Sequence, residues 1–267
     1  MSSSSLAGRS ALRREVDARL AACSLTVAEQ LLAAVSLLAG DKTLRTALAD
    51  AGQSDESRAA LAKDVFSGKV DDVTVELLAA AARLRWSNGS DLVEALEELG
   101  AAVAFTAAEA DGSLGTVEEE LFRFGRAVEV SPELQMRLTD PAVSAAGKAA
   151  LVRDLIASAT PTTIALLAHM AANLRGRRVD SAVTTLTNLA AAQRERVVAQ
   201  VRVAVALDDA QVDRLSRALA RFSDREVRLN IVVDPTVIGG VSVRLGDDVI
   251  DGTMLTRITQ ARRSLVG

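Results

Sequence analysis

Asp234-Pro235-Thr236-Val237-Ile238-Gly239-Gly240-Val241-Ser242-Val243-Arg244-Leu245-Gly246-Asp247-Asp248-Val249-Ile250-Asp251-Gly252-Thr253 reads as strand end, turn, strand, turn and short strand in one ordered run. Pro235 lacks an N–H and has a fixed φ, so it belongs just past a strand end rather than inside a ladder. Gly239 and Gly240 permit positive φ or close backbone approach, which lets the chain re-enter a sheet. Val241, Val243 and Leu245 alternate with Ser242 and Arg244, the period of a strand with one apolar face. Gly246 ahead of Asp247 and Asp248 suits a tight hairpin. Val249-Ile250 returns as a short strand, and Asp251-Gly252 precedes a basic amphipathic segment from about Thr253 that is expected to be a helix.

The same alternation continues upstream. Val201, Val203 and Val205 form one apolar row, and Val227, Leu229, Ile231 and Val233 another. Between them Val212, Leu215, Leu219 and Phe222 recur at helical spacing, so an amphipathic helix joins two strands and can cover the sheet. Residues 196–267 are therefore expected to form a small β-α-β-β-(β)-α domain. A domain of that size is marginal alone, so stabilisation by a partner is expected.

Ahead of residue 196 the pattern is helical and repeats itself at an offset of 90 residues. Leu44, Leu48, Asp50 and Ser54 fall on Leu134, Leu138, Asp140 and Ser144, and Ala59, Ala60, Leu61 and Asp64 on Ala149, Ala150, Leu151 and Asp154. Leu77, Ala81, Ala82, Leu84 and Arg85 fall on Leu167, Ala171, Ala172, Leu174 and Arg175, and Val93, Leu96 and Leu99 on Val183, Leu186 and Leu189. A gapless register that carries Asp and Arg as well as Ala and Leu favours a true duplication. Leu92, Leu96, Leu99 and Val103 make a helical stripe near the end of the first copy, and Leu121, Phe124 and Val128 another at the start of the second. Glu118-Glu119-Glu120 is expected in the first turn of that helix, where carboxylates suit the dipole. Breakers at Gly40-Asp41, Gly52, Gly68, Asn88-Gly89, Gly112 to Gly115, Ser131-Pro132, Asp140-Pro141 and Pro161 divide short antiparallel helices. The expected fold is mainly α with a small α/β C-terminal domain: one helical bundle in residues 1–110, a second in 111–195, and the sheet domain in 196–267.

Composition narrows the function. With 267 residues and 49% hydrophobic content the chain has ample material for two or three cores. Aromatic residues are 2% of the chain, Tyr is absent and the formal net charge is -4, which argues against a nucleic-acid partner. Lone Cys23 cannot form an intramolecular disulfide and fits a reducing compartment. No basic run leading into an apolar one stands at the N-terminus, so export is not expected. The apolar stretches 31–39 and 77–82 fall short of the roughly 20 residues that span hydrocarbon, so any tie to a membrane is expected to be peripheral. His169 is the one histidine, its repeat counterpart is Ala79, and it reads as an edge-of-core residue rather than a base or metal ligand. Neither a phosphate-binding Gly-x-x-x-x-Gly-Lys-Ser/Thr loop nor a Gly-x-Gly-x-x-Gly fingerprint occurs. The acidic pairs Asp71-Asp72, Glu97-Glu98, Asp208-Asp209 and Asp247-Asp248 point apart on a helix or strand and read as caps, turns and solvated positions. No catalytic residue, cofactor or metal is expected.

The ordered series from Asp234 to Gly252 resembles the C-terminal signature of the delta subunit of F-type ATP synthases, the family of the mitochondrial oligomycin-sensitivity-conferring protein. Asp234, Pro235, Ile238, Gly239, Gly240, Gly246, Ile250, Asp251 and Gly252 carry the resemblance. It implies a non-catalytic stator subunit of the peripheral stalk at the cytoplasmic face of a bacterial plasma membrane. In that family a six-helix bundle grips the N-terminal helices of the alpha subunits, and the C-terminal domain binds the C-terminal end of the b-subunit helix. The clamp holds the catalytic head against rotor torque during proton-driven ATP synthesis. Residues from about Glu118 through Leu189 correspond to the usual bundle, and the copy ahead of it is the departure, as in long delta chains of some high-GC bacteria. Val241, Val243, Ile250, Leu255 and Ile258 are expected on the b-facing surface or in the core behind it. A general helical-repeat scaffold explains the duplication equally well, but not the signature.

Overall fold

The computed structural model describes residues 3–19, 22–194, 197–223, 227–234, 240–245 and 248–251. The chain divides into two compact units, Met1–Arg194 and Glu195–Gly267.

The first unit is helical: α1 (Ser3–Ala18), α2 (Leu25–Gly40), α3 (Lys42–Ala49), α4 (Asp55–Phe66), α5 (Asp72–Arg83), α6 (Gly89–Ala110), α7 (Leu114–Val130), α8 (Pro132–Thr139), α9 (Ala145–Leu155), α10 (Pro161–Ala172) and α11 (Val179–Arg194). Added to the bounds of α3, the 90-residue offset lands on those of α8, and α4, α5 and α2 land within a residue or so of α9, α10 and α7. The hydrogen bonds repeat as well. Asp41 accepts from Leu44 N at the start of α3 at 3.0 Å, as Ser131 accepts from Leu134 N at 3.2 Å before α8. Ser54 caps α4 through Ser57 N and Ser144 caps α9 through Gly147 N, each at 3.1 Å. Asp50 accepts from Gly52 N at 2.9 Å and Asp140 from Ala142 N at 2.8 Å. Arg45 donates to Leu38 O at 3.1 Å, and its counterpart Gln135 to Val128 O at 2.8 Å.

The offset also carries α1 onto residues 93–108, inside α6, and the start of α6 onto the start of α11. Helix α6 thus closes the first copy and opens the second. Its packing fits both roles: α1 lies on α5 and α6 as α6 lies on α10 and α11, and α2 lies on α6 as α7 lies on α11. Buried residues from Leu12 to Ala190 form one continuous core, to which α6 contributes Leu92, Val93, Leu96, Leu99, Val103 and Phe105. The 110/111 boundary falls in the turn after α6, inside this unit, so the repeat does not separate two cores. That turn needs Gly112 at φ 77, which lets Ser113 N reach back to Ala108 O at 2.8 Å and α7 begin at once.

This early start corrects one expectation. Glu118, Glu119 and Glu120 sit in the second turn of α7 rather than the first, and Gly115 lies inside the helix rather than in its break. The three carboxylates make side-chain contacts instead of serving the dipole. Glu118 pairs with Arg194 at 2.9 Å, Glu119 with Arg123, and Glu120 accepts from Thr160 N at 3.0 Å and Thr160 Oγ1 at 2.7 Å. The counterpart of Glu120, Gln30, ties down the start of α5 in the same way, accepting from Asp71 N at 3.0 Å.

The second unit has β1 (Val197–Val203), α12 (Asp209–Ser223), β2 (Val227–Val233), β3 (Val241–Leu245) and β4 (Asp248–Asp251), with sheet order β2-β1-β3-β4. β1 and β2 are parallel, as the α12 crossover requires, and β1–β3 and β3–β4 are antiparallel. Ala199, Val201, Val203, Leu219, Val227 and Val243 make its core. The first strand ends at Val203, whose carbonyl accepts from Asp234 N at 2.8 Å, and Val205 lies beyond it, 74% exposed. The expected last helix, from about Thr253, lies outside the described residues.

Candidate functional site

In the sheet unit, the signature falls where β2 ends and β3 and β4 pair. Asp234 extends the β2–β1 ladder by the bond to Val203. Gly240, at φ 85, precedes β3 in the left-handed region where a side chain is strained. Val241 is opposite Val203, and Val243 is opposite both Val201 and Ile250. Val243 is 3% exposed and Val241 packs at the edge of the same core. Ile250 and Asp251 lie on β4, with Asp251 opposite Ser242. Pro235, Ile238, Gly239, Gly246, Gly252, Leu255 and Ile258 lie outside the described residues.

In the helical unit a cavity of about 230 Å³ opens between α2, α6, α10 and α11. Leu32, Leu166, Met170 and Leu186 give it apolar walls, while Glu94, Glu97, Glu98, His169 and Arg177 supply charge at one side. Arg177 donates to Glu97 Oε1 at 2.8 Å, and Arg175 binds Oε2 of the same carboxylate. Arg177 also donates to Asn173 O and Leu174 O, at 2.9 and 3.1 Å, so it ties the end of α10 to α6. Arg175 holds φ 49, a strained backbone for a residue with a Cβ, in the turn that brings both arginines to Glu97. His169 Nε2 lies 3.5 Å from Glu97 Oε1, at the outer limit of a hydrogen bond, with no closer partner among the described residues. Burial pushes the Glu97 carboxyl up, but the His169 and Arg177 contacts and the charges of Arg175 and Arg177 outweigh it and hold the group at about 2. At neutral pH Glu97 is a fixed anion, unfit to donate a proton and fit to organise arginines. Across α1, Arg9 closes the cluster by pairing with Glu94 at 3.0 Å and with Glu98.

The first copy shows what the same place looks like when filled. Trp86 is 5% exposed, donates its indole N–H to Ala81 O at 2.8 Å, and presses against α1 at Gly8. A Cβ at Gly8 would stand 2.9 Å from the ring, so only glycine admits it. Ninety residues on, Trp86 becomes Gly176 and Gly8 becomes Glu98, a residue of the cavity wall. Apart from Arg175, which falls on Arg85, the charged members have neutral counterparts: Glu97 falls on Ala7, His169 on Ala79 and Arg177 on Ser87. Reading Glu97-Glu98 as merely solvated missed this cluster. The departures of the second copy from the first were the signal that marks it.

The sequence profile described as "ATP synthase delta (OSCP) subunit" matches residues 96–265, beginning within α6 and covering the second copy and the sheet unit. "ATP synthase subunit delta" of Streptomyces griseus is 40% identical over 100% of both chains. The protein of the same name from Parafrankia is 42% identical over 90% of this chain and 86% of its own, and that of Streptomyces avermitilis 40% over 96% and 95%. Among solved structures, a chain from the mitochondrial ATP synthase hexamer of Toxoplasma gondii covers 64% of this chain and 98% of its own at 24% identity; its TM-score of 0.28 is too low to carry weight. The ordered signature, the duplicated helical unit and matches at this identity along the whole length agree: the chain belongs to the ATP synthase delta (OSCP) subunit family.

Proposed function

We propose that this chain is a non-catalytic stator subunit of an F-type ATP synthase, joining the alpha subunits of the catalytic head to the b subunit at the cytoplasmic face of a bacterial plasma membrane. None of the helices among the described residues is long and apolar enough to cross a membrane, which suits a peripheral subunit. In this reading the second copy, α6 to α11, receives an alpha-subunit N-terminal helix. The observation that carries it is the contrast between the copies: the groove plugged by Trp86 in the first is an open, charge-rimmed cavity in the second, whose walls, apart from Leu32 and Glu94, fall in the stretch the family profile matches. A helix-in-groove contact places apolar side chains of the partner against Leu166, Met170 and Leu186, and its polar flank near Glu94 and Arg177. The sheet unit, around Asp234 to Gly252 and the expected last helix with Leu255 and Ile258, is the proposed b-binding end.

Calorimetric titration of the full chain with an alpha N-terminal peptide and, separately, a b C-terminal peptide tests this. Leu189→Arg, at the half-buried cavity rim, is expected to weaken the alpha peptide at least tenfold, about 1.4 kcal/mol, while leaving the b peptide unchanged. Equal alpha affinity in a folded variant would move the docking site elsewhere, and silence of the unaltered chain toward both peptides would defeat the stator reading.

A further inference from the structure

The internal duplication points to a second helix-docking surface, on the outer face of α7. In the first copy, Leu32 of α2 is 4% exposed. It lies over Gly100 of α6, where a Cβ would come within 2.8 Å of Leu32 Cδ2, and it shares a cavity wall with Leu166 and Met170 of α10. One turn along α2, Ser36 Oγ accepts from Asn173 Nδ2 at 3.0 Å. An α10 face presenting Leu166, Met170 and Asn173, spaced i, i+4 and i+7, therefore borders this stretch of α2, across the cavity at Leu32 and in direct contact at Ser36.

Ninety residues on, the equivalent of Leu32 is Phe122, which is 61% exposed. Gly100 becomes Ala190, whose methyl closes the dent into which Leu32 sinks. Two turns beyond Phe122 on α7, Val130 is 72% exposed. The charged neighbours pair among themselves, Arg123 with Glu119 and Arg126 with Glu129 at 2.7 Å, and leave the ring uncovered. Nothing among the described residues takes the place that α10 takes on α2.

We propose that this face binds an amphipathic helix of another subunit, packed on α7 as α10 packs on α2. The occupant is set by the internal example and by what has changed from it. Its apolar pair, Leu or Met at i and i+4, meets Phe122. Arg126 stands where Ser36 stands; already paired with Glu129 but 62% exposed, its guanidinium has N–H groups left for a second carboxylate, so the residue at i+7 is Asp or Glu rather than the amide donor Asn173. The proposal rests on the reading of the chain as part of an ATP synthase, and is separate from the cavity of the second copy.

The test replaces Phe122 with photo-reactive p-benzoylphenylalanine in the full chain, expressed in its own bacterium, and irradiates the purified complex. The expected result is a cross-link mapped by mass spectrometry to an amphipathic helix of another subunit with the acidic residue at i+7. Cross-linking to a second copy of this chain, to its own sheet unit, or to nothing overturns the proposal. A second variant, Phe122→Asp, is expected to lower retention of that subunit at least tenfold while leaving the circular dichroism spectrum unchanged; full retention also overturns it. Co-purification of ATP synthase subunits with the unaltered chain reports separately on the assembly reading.

Discussion

The two copies in the helical unit share a skeleton and differ in what fills it. Their caps and turns are held by matching hydrogen bonds, from Ser54 and Ser144 to Asp50 and Asp140. Their interiors have diverged. The first copy buries the Arg58 guanidinium, 1% exposed, among the carbonyls of Gln53 at 2.6 Å, Ala82 at 2.7 Å and Arg83 at 2.9 Å, with Asp55 at 2.8 Å. It also fills its groove with Trp86. The second copy has Lys148, only half-buried, in place of Arg58, leaves its groove open, and surrounds Glu97 with cations. One copy is closed on itself and the other holds an open cavity, and the two are joined through the shared α6.

The contrast breaks first at Arg58. Arg58→Leu leaves several buried carbonyls without donors and is expected to cost about 3–5 kcal/mol in urea unfolding, against under about 1 kcal/mol for Lys148→Leu. Equal losses would mean that the buried guanidinium does not set the first copy apart. Trp86→Ala should cost about 3–4 kcal/mol, because the ring is enclosed and the cavity left behind is walled by helix backbone. A loss below about 1 kcal/mol would show that the plug does not hold α1 in place.

Glu97→Gln tests the second copy through pH. The folded carboxyl lies at about 2 against an ordinary 4.5, so its contribution is fully present above pH 4.5 and is lost as pH falls toward 2. That shift corresponds to at most about 3 kcal/mol. Unfolding measured from pH 7 to pH 2.5 should therefore show the variant destabilised at neutral pH and its stability less steeply dependent on acid. Parallel curves would mean that the cluster is not held by the Glu97 charge. The smallest effect sharpens what the copies share: Ser54→Ala and Ser144→Ala should each cost about 1 kcal/mol, with matching values.

Much of this architecture is legible in the sequence because it depends on local chemistry. The alternation around Val201, around Leu229 and Ile231, and around Val243 marks strands whatever they pack against. The Asp50/Asp140 and Ser54/Ser144 matches mark caps and turns that close within three residues. The double role of α6 is not visible in the identities from Leu44 onward, since α1 shares only Leu6/Leu96, Ala11/Ala101 and Ala18/Ala108 with the later part of α6. It emerges only when helix boundaries are compared. The Glu97 cluster is hidden for another reason: Arg175 and Arg177 reach the carboxylate from 78 and 80 residues away, a distance no local pattern spans. The stripe Leu121, Phe124 and Val128 leaves Phe122 off the apolar face of α7, but that its counterpart Leu32 is buried depends on what packs across α2, which no local pattern reports.

Hydrogen–deuterium exchange on the full chain, with and without a saturating alpha-subunit N-terminal peptide, tests the central claim most directly. The account predicts new protection in residues 94–101, 166–170 and 182–189, the walls of the open groove, with α1 and α5 unchanged. Protection concentrated in α1 and α5, where Trp86 closes the first copy, would contradict it.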